Sequence, residues 1–78
     1  MSVQSVLINK KKYSLIDAVK WVLDNNYKID YEIDETDKYY RFRQYTPRKN
    51  ANYITKKIKD GIKLVVEIRF GPHEYNYV

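Results

Sequence analysis

The first third of the chain combines one short strand-like run with one helical pattern. Val3 to Ile8 is a β-branched apolar run bounded by polar residues, which predicts a strand. Ser14 is a favoured N-cap residue, and Asp17 follows it at the spacing of a capping box. Four apolar residues then recur at helical spacing and two more widen the stripe: Leu15, Ala18, Val19 and Val22, with Ile16 and Leu23. We expect a helix from about Leu15 to Asn25, with a left-handed stop at Asn25-Asn26.

Two alternating runs follow the helix and predict a hairpin. Lys28 to Ile33 alternates apolar and polar residues, and Lys38 to Tyr45 does so again after a turn at Asp34 to Asp37. A four-residue turn would place Asp30 opposite Arg41, an acid against a base. Four residues then share the side of the hairpin away from its apolar residues: Tyr39, Arg41, Arg43 and Tyr45.

A second hairpin is predicted in the last third of the chain. Tyr53 to Ile58 and Ile62 to Phe70 are apolar-containing runs that flank an Asp-Gly pair, the strongest short-range hairpin signal. Gly61 supplies the positive φ that such a turn requires, because it has no Cβ atom.

The predicted element order is therefore β-α-β-β-β-β. The fold class that satisfies it most economically is α+β, with one helix packed on a four- to five-stranded, mainly antiparallel sheet. We expect residues 1–72 to form this single domain and His73 to Val78 to be a loosely held tail. The helix can cover only one face of the sheet, so the other face stays open unless a partner covers it.

The composition excludes several kinds of site. The 78 residues include no cysteine and one histidine, which excludes disulfides, thiolate nucleophiles, Cys-based zinc sites and His-rich metal sites. Both glycines are explained by turns, so there is no glycine-rich loop to cradle phosphates. His73 has no Ser or Cys partner in a recognisable nucleophile motif. We expect no enzymatic activity and no cofactor.

The segment from Tyr39 to Tyr45 carries the main candidate site, because it interleaves tyrosine with arginine in a chain of net charge +5 with nine tyrosines. Exposed Tyr and Arg side chains on a sheet can stack on bases and pair with phosphates. The candidate nucleic-acid-binding residues are Tyr39, Arg41, Arg43, Tyr45, Arg48, Lys49, Lys56 and Lys57. The alternative is purely structural, since Tyr is a favoured strand residue and Arg41 would then serve only to pair with Asp30.

An acidic set precedes this segment: Asp30, Glu32, Asp34, Glu35 and Asp37. On the predicted strand, Asp30, Glu32 and Asp34 share one face, and paired carboxylates can hold a hard cation or perform acid–base chemistry. Ordinary charge pairing within the hairpin explains the same residues without a metal or a reaction. The acidic turn could equally be a docking surface for a basic partner.

Two stretches of the sequence resemble a known group of proteins. The order is a helix, then Asp34-Glu35-Thr36 through Tyr39-Tyr40-Arg41-Phe42-Arg43-Gln44, then the Asp60-Gly61-Ile62-Lys63-Leu64-Val65 hairpin. This order resembles short uncharacterised proteins and domains of tailed phages and large DNA viruses. The likeness covers roughly Val3 to Ile68. It implies a viral or phage origin and an accessory or virion-associated role, and it assigns no functional residue.

No stretch has the pattern of a signal peptide or approaches the ~20 apolar residues of a membrane span. We therefore expect an intracellular location, in host cytoplasm or nucleus, or a place within a virion, with no secretion and no membrane contact.

Two functions fit these features. The first is a nucleic-acid-binding accessory module that uses the Tyr/Arg face of the sheet. The second is a protein-interaction module, as a virion component or an inhibitor of a host enzyme, which uses the same face or an open sheet edge and includes a possible homodimer. Flanking of the Tyr/Arg face by Lys49, Lys56 and Lys57 would favour nucleic acid. Neutralisation of that face by Asp30, Glu32 and Glu67 would favour a protein partner.

Overall fold

The computed structural model describes residues 2–68 and confirms the predicted α+β class. Its elements are β1 (Ser2–Asn9), α1 (Leu15–Asp24), β2 (Asp34–Glu35), β3 (Tyr39–Arg43), β4 (Asn52–Lys59) and β5 (Ile62–Ile68). The expected end of the last strand at Phe70, the domain boundary at residue 72 and the tail from His73 lie outside the described residues.

The five strands form one antiparallel sheet in the order β2-β3-β1-β5-β4. β1 lies at the centre, and β2 and β4 form the edges. The second predicted hairpin is confirmed, since β4 and β5 pair directly around Asp60 and Gly61, and Gly61 has a φ of +86°. The connection from β3 to β4 passes the ends of both central strands, because β1 and β5 lie between the strands it joins.

The core lies between α1 and the face of the sheet that α1 covers. Strand alternation places Val6 and Ile8 of β1, Phe42 of β3 and Ile62 of β5 on this face, where each is buried. Ala18 and Val22 of α1 complete the buried cluster. Each large apolar side chain removed from water in this way stabilises the fold by about 1.5–3 kcal/mol.

The predicted start of the helix is confirmed, and its end lies one residue before the predicted Asn25. The hydroxyl oxygen of Ser14 accepts a hydrogen bond from the backbone N–H of Asp17 at 3.1 Å, which satisfies a donor of the first turn. Asn26 has a φ of +66°, and the N–H of Tyr27 donates to the carbonyl of Val22 at 2.9 Å. These contacts form a Schellman motif, which ends α1 at Asp24.

The predicted strand from Lys28 to Ile33 is wrong, because this segment has no regular structure. The side chain of Gln44 binds the backbone of Lys28 in place of a strand ladder. Its Oε1 accepts from the Lys28 N–H at 2.8 Å, and its Nε2 donates to the Lys28 carbonyl at 3.0 Å. Ladder pairing begins only at β2, where Asp34 lies opposite Arg41. The expected pairing of Asp30 with Arg41 is therefore wrong by four residues.

The predicted apolar stripe of α1 is too wide. Ile16 is 81% exposed, and Leu15 and Leu23 are exposed as well. The helix packs near β3 and leaves β4 uncovered on this side, where Ile54 and Ile58 are also exposed. The side chains that were expected to widen the stripe thus have no sheet surface beneath them.

Candidate nucleic-acid interface

The face of the sheet opposite α1 carries the candidate site, and we call it the open face. Its residues alternate along each strand with those that face α1. They are Tyr39, Arg41 and Arg43 of β3, Ser5 and Leu7 of β1, Lys63, Val65 and Glu67 of β5, and Tyr53, Thr55 and Lys57 of β4. No helix or strand within residues 2–68 covers this face. Leu7 and Val65 are half-buried at its centre, so it presents a shallow apolar strip between two polar borders.

At the β2–β3 border, one carboxylate joins two arginines. Oδ2 of Asp34 accepts hydrogen bonds from Nη2 of Arg41 at 2.9 Å and from Nε of the same guanidinium at 3.2 Å. Nη2 of Arg43 lies 2.9 Å from the same oxygen. The hydrogen bond from Arg41, with the positive charge of Arg43, holds the pKa of Asp34 below its ordinary value. Both guanidiniums remain partly exposed, and so does the carboxylate.

At the far end of the face, Tyr45 and Arg48 belong to a structural cluster around Glu67. The Tyr45 hydroxyl donates to Oε1 of Glu67 at 2.7 Å and lies 2.9 Å from the hydroxyl of Ser2. Nη1 of Arg48 is 3.5 Å from Oε2 of Glu67, and the guanidinium carbon lies 5.7 Å from the centre of the Tyr45 ring. Burial, with the neighbouring Glu67 carboxylate, raises the pKa of the Tyr45 hydroxyl.

This cluster also fixes the path of the loop between β3 and β4. The backbone N–H of Arg48 donates to the hydroxyl of Tyr53 at 2.9 Å, so the loop is tied to β4 soon after it leaves β3. Tyr45 and Arg48 are consequently held within the fold by contacts of their own. The Tyr45 hydroxyl is therefore engaged within the fold, whereas the side chain of Arg48 stays 60% exposed.

A second group of cations continues the open face toward β4. Nζ of Lys63 lies 5.4 Å from the centre of the Tyr39 ring, and Lys57 lies opposite Lys63 in the β4–β5 register. The sequence pattern does not predict Lys63 as a site residue, because its position beside Tyr39 depends on the pairing of β1 with both β3 and β5. Alternation within the predicted second hairpin places Lys63 on the same face as Lys57. The order of the strands in the sheet, which brings Lys63 near Tyr39, does not follow from that alternation.

The other predicted residues are distributed differently. Lys56 lies opposite Leu64 on the helix side of the sheet, so it cannot share a ligand on the open face with Lys57. Lys49 is exposed in the loop between β3 and β4. Tyr39, Arg41 and Arg43 lie side by side on β3 as expected.

The acidic set does not assemble as predicted. Asp30 and Glu32 lie in the irregular segment and share no strand face with Asp34. Glu35 instead pairs with Nζ of Lys10, whose ammonium also lies 5.8 Å from the Tyr40 ring centre. Within residues 2–68 there is no group of three or more His, Cys, Asp or Glu side chains that could hold a metal ion.

None of the helices in that range is long and apolar enough to cross a membrane.

The open face is therefore neutralised only in part. Asp34 and Glu67 provide the acid, in place of the expected Asp30 and Glu32. Among the described residues, the strands of this face place four cations near these two carboxylates: Arg41, Arg43, Lys57 and Lys63. Arg48, in the adjoining loop, lies 3.5 Å from Glu67. The arrangement can attract an anion over its whole width, with an aromatic ring at the Tyr39 corner.

Comparison of the chain with models of protein families, with curated proteins and with solved structures finds no match.

Proposed function

We propose that this protein is a small non-enzymatic module that binds single-stranded nucleic acid on its open face. The observation that carries the proposal is the juxtaposition of Tyr39 with Arg41 and Arg43 on β3 and with Lys63 two strands away. A sheet that is open on one face, with aromatic rings among cations, suits a flexible strand whose bases stack and whose phosphates pair.

The dimensions of the face favour a strand over a duplex. Neighbouring strands of a sheet are about 4.8 Å apart, so the cations of β3 and β5 are separated by about 10 Å across Leu7. The open face thus offers two arginines on β3 and one lysine on β5, with the apolar side chain of Leu7 between them. Bases laid beside Leu7 can stack on Tyr39 while their phosphates reach the β3 arginines or Lys63.

The setting we propose is that of a viral or phage accessory protein. The resemblance of the Asp34 to Gln44 pattern to short phage and viral proteins supports it.

The experiment is a fluorescence-anisotropy titration of labelled single-stranded and duplex oligonucleotides over a series of salt concentrations. Binding should weaken steeply with salt, because each phosphate that pairs with a cation releases a counterion. Replacing Arg41 and Arg43 together by Gln should weaken binding about tenfold or more at low salt.

The matched control for that double variant replaces Lys11 and Lys20 by Gln. It removes the same charge from an exposed loop and from the exposed side of α1. An equal loss of affinity in both double variants would mean that net charge alone governs binding. The absence of binding to any oligonucleotide at low salt would refute the proposal.

A second candidate function rests on β4. This edge strand is exposed along nearly all of its eight residues, and within the described part of the chain it pairs only with β5. It carries Lys56, Lys57 and Lys59 beside the exposed apolar residues Ile54 and Ile58. Such an edge suits an extended acidic segment of a protein partner, which would add a sixth strand. Lysines on the edge disfavour pairing with a second copy of the same strand.

The two candidates are separated by a competition experiment. An acidic peptide that binds β4 should leave the anisotropy of a strand held on the open face unchanged. Its binding should weaken when Lys56 and Lys59 are both replaced by Gln, since these two lysines lie on the helix side of β4 and the change leaves the open face intact.

A further inference from the structure

The contact between Asp34 and the two arginines of β3 resembles the contact that a phosphate would make. A guanidinium presents its N–H groups as a planar fork, and carboxylate and phosphate oxygens both fit that fork. Oδ2 of Asp34 occupies the position where the forks of Arg41 and Arg43 converge, with three N–O distances of 2.9 to 3.2 Å. A phosphate oxygen at the same position would meet the same three donors.

The carboxylate is held by a short and exposed element. β2 consists of Asp34 and Glu35 alone, at the edge of the sheet, and irregular chain precedes it. Its ladder consists of the pairs Asp34–Arg41 and Glu35–Tyr40. An edge element with so few backbone bonds can shift at low cost, whereas β3 is held between two strands and has the buried Phe42 at its centre.

We propose that the space between Arg41 and Arg43 is a phosphate subsite of the bound strand, and that Asp34 fills this subsite in the free protein and leaves it when the strand binds. This inference rests on the proposed function of the open face. It assigns to Asp34 the role of an internal competitor, which sets the affinity and keeps the two guanidiniums oriented while no strand is present.

The presence of Asp34 in the subsite affects which anions can bind there. A free phosphate ion must displace Asp34 with no help from other contacts, so the carboxylate competes with it effectively. A strand gains additional contacts at Tyr39 and Lys63, which offset the displacement. The subsite thereby favours a polyanion that spans the face over a small anion that occupies one point.

The test compares Asp34→Asn with the wild type by anisotropy, over the same salt series and with the same single-stranded oligonucleotide. The variant keeps a side chain that can bind the guanidiniums but removes its charge. We expect about threefold to tenfold tighter binding at low salt and a salt dependence steeper by about 0.7 for each additional phosphate contacted.

Asp60→Asn is the matched control. Asp60 pairs with Lys12 in the turn that joins β4 to β5, so the control removes one negative charge from outside the subsite. Its affinity should stay close to that of the wild type. Asp34→Ser provides a second variant that also lacks the carboxylate, and thermal unfolding verifies that each protein is folded.

Four outcomes are distinguishable. Tighter binding by both Asp34 variants, with little change in Asp60→Asn, supports the inference. Unchanged or weaker binding by both Asp34 variants, while the wild type binds, overturns the inference and leaves the proposed function standing. No binding by any protein removes the proposed function itself, and the inference with it. Displacement of the strand by millimolar inorganic phosphate at constant ionic strength would show a site for free phosphate, which also overturns the inference.

Discussion

The hydroxyl of Tyr45 donates a hydrogen bond to Oε1 of Glu67 at 2.7 Å, which ties the chain after β3 to the end of β5. Glu67 is only 4% exposed, and Arg48 approaches its other oxygen. The sequence pattern placed Tyr45 among the nucleic-acid-binding residues. The structure gives its hydroxyl a contact within the fold.

The first prediction follows from this contact. Tyr45→Phe should lower the free energy of unfolding by about 1–2 kcal/mol, because a buried carboxylate loses one of its donors. Urea denaturation measures the change. Tyr31→Phe is the control, since Tyr31 is 40% exposed and its hydroxyl should contribute little. Equal stability of Tyr45→Phe and the wild type would show that the hydrogen bond has no net effect.

The second prediction concerns pH. The folded-state pKa of Asp34 is lowered by the hydrogen bond from Arg41, so the ionised carboxylate stabilises the fold above its ordinary pKa of 3.8. This contribution declines as the pH falls below about 4 and is lost once the pH passes through the lowered folded-state value. Thermal unfolding between pH 6 and pH 2 should therefore show a smaller acid-induced decline for Asp34→Asn than for the wild type. Parallel curves for the two proteins would contradict the assigned shift.

The third prediction tests base stacking on Tyr39. Tyr39→Ala should weaken binding of a single strand by about 1–3 kcal/mol, which is the range for one stacked base, whereas Tyr39→Phe should retain most of the affinity. Anisotropy at fixed salt measures both. Tyr31→Phe, in an exposed residue of the irregular segment away from the open face, is the companion control for loss of a hydroxyl. A loss of affinity in Tyr39→Phe equal to that in Tyr39→Ala would assign the effect to the hydroxyl instead of the ring.

The fourth prediction concerns the turn between β4 and β5. Gly61→Ala should destabilise the fold by about 1–2 kcal/mol or more, because its φ of +86° is unfavourable for any residue with a Cβ atom. The added Cβ would also lie 2.9 Å from Cβ of Lys12. Thermal unfolding measures the loss, and Asn50→Ala in the exposed loop is the control. An unchanged melting temperature in Gly61→Ala would mean that the turn can relax into another type.

Local signals were sufficient for the helix and for the second hairpin. Ser14 and Asn26 mark the ends of α1 by contacts with their near neighbours, and Gly61 marks a turn whose strands pair directly. Each of these signals depends on residues within a few positions of one another, so the sequence pattern reveals them.

Long-range contacts explain what the sequence could not predict. The alternation from Lys28 to Ile33 is typical of a strand, but the amide of Gln44 binds the backbone where the ladder would begin. The residue that lies opposite Arg41 and pairs with it is consequently Asp34, not Asp30. Likewise, alternation assigned Tyr39, Arg41 and Arg43 to one face correctly, but Lys63 joined them only through the central position of β1, which no local pattern encodes.

The central position of β1 also bears on how the protein folds. Of the described strands, β1 comes first in the chain, whereas its sheet neighbours β3 and β5 come much later. The hairpin of β4 and β5 can form early from local contacts, but it contributes only Ile62 to the central buried cluster. Since β1 pairs on both sides with strands distant in sequence, folding should be slow for a chain of this size and should require β5 to be available.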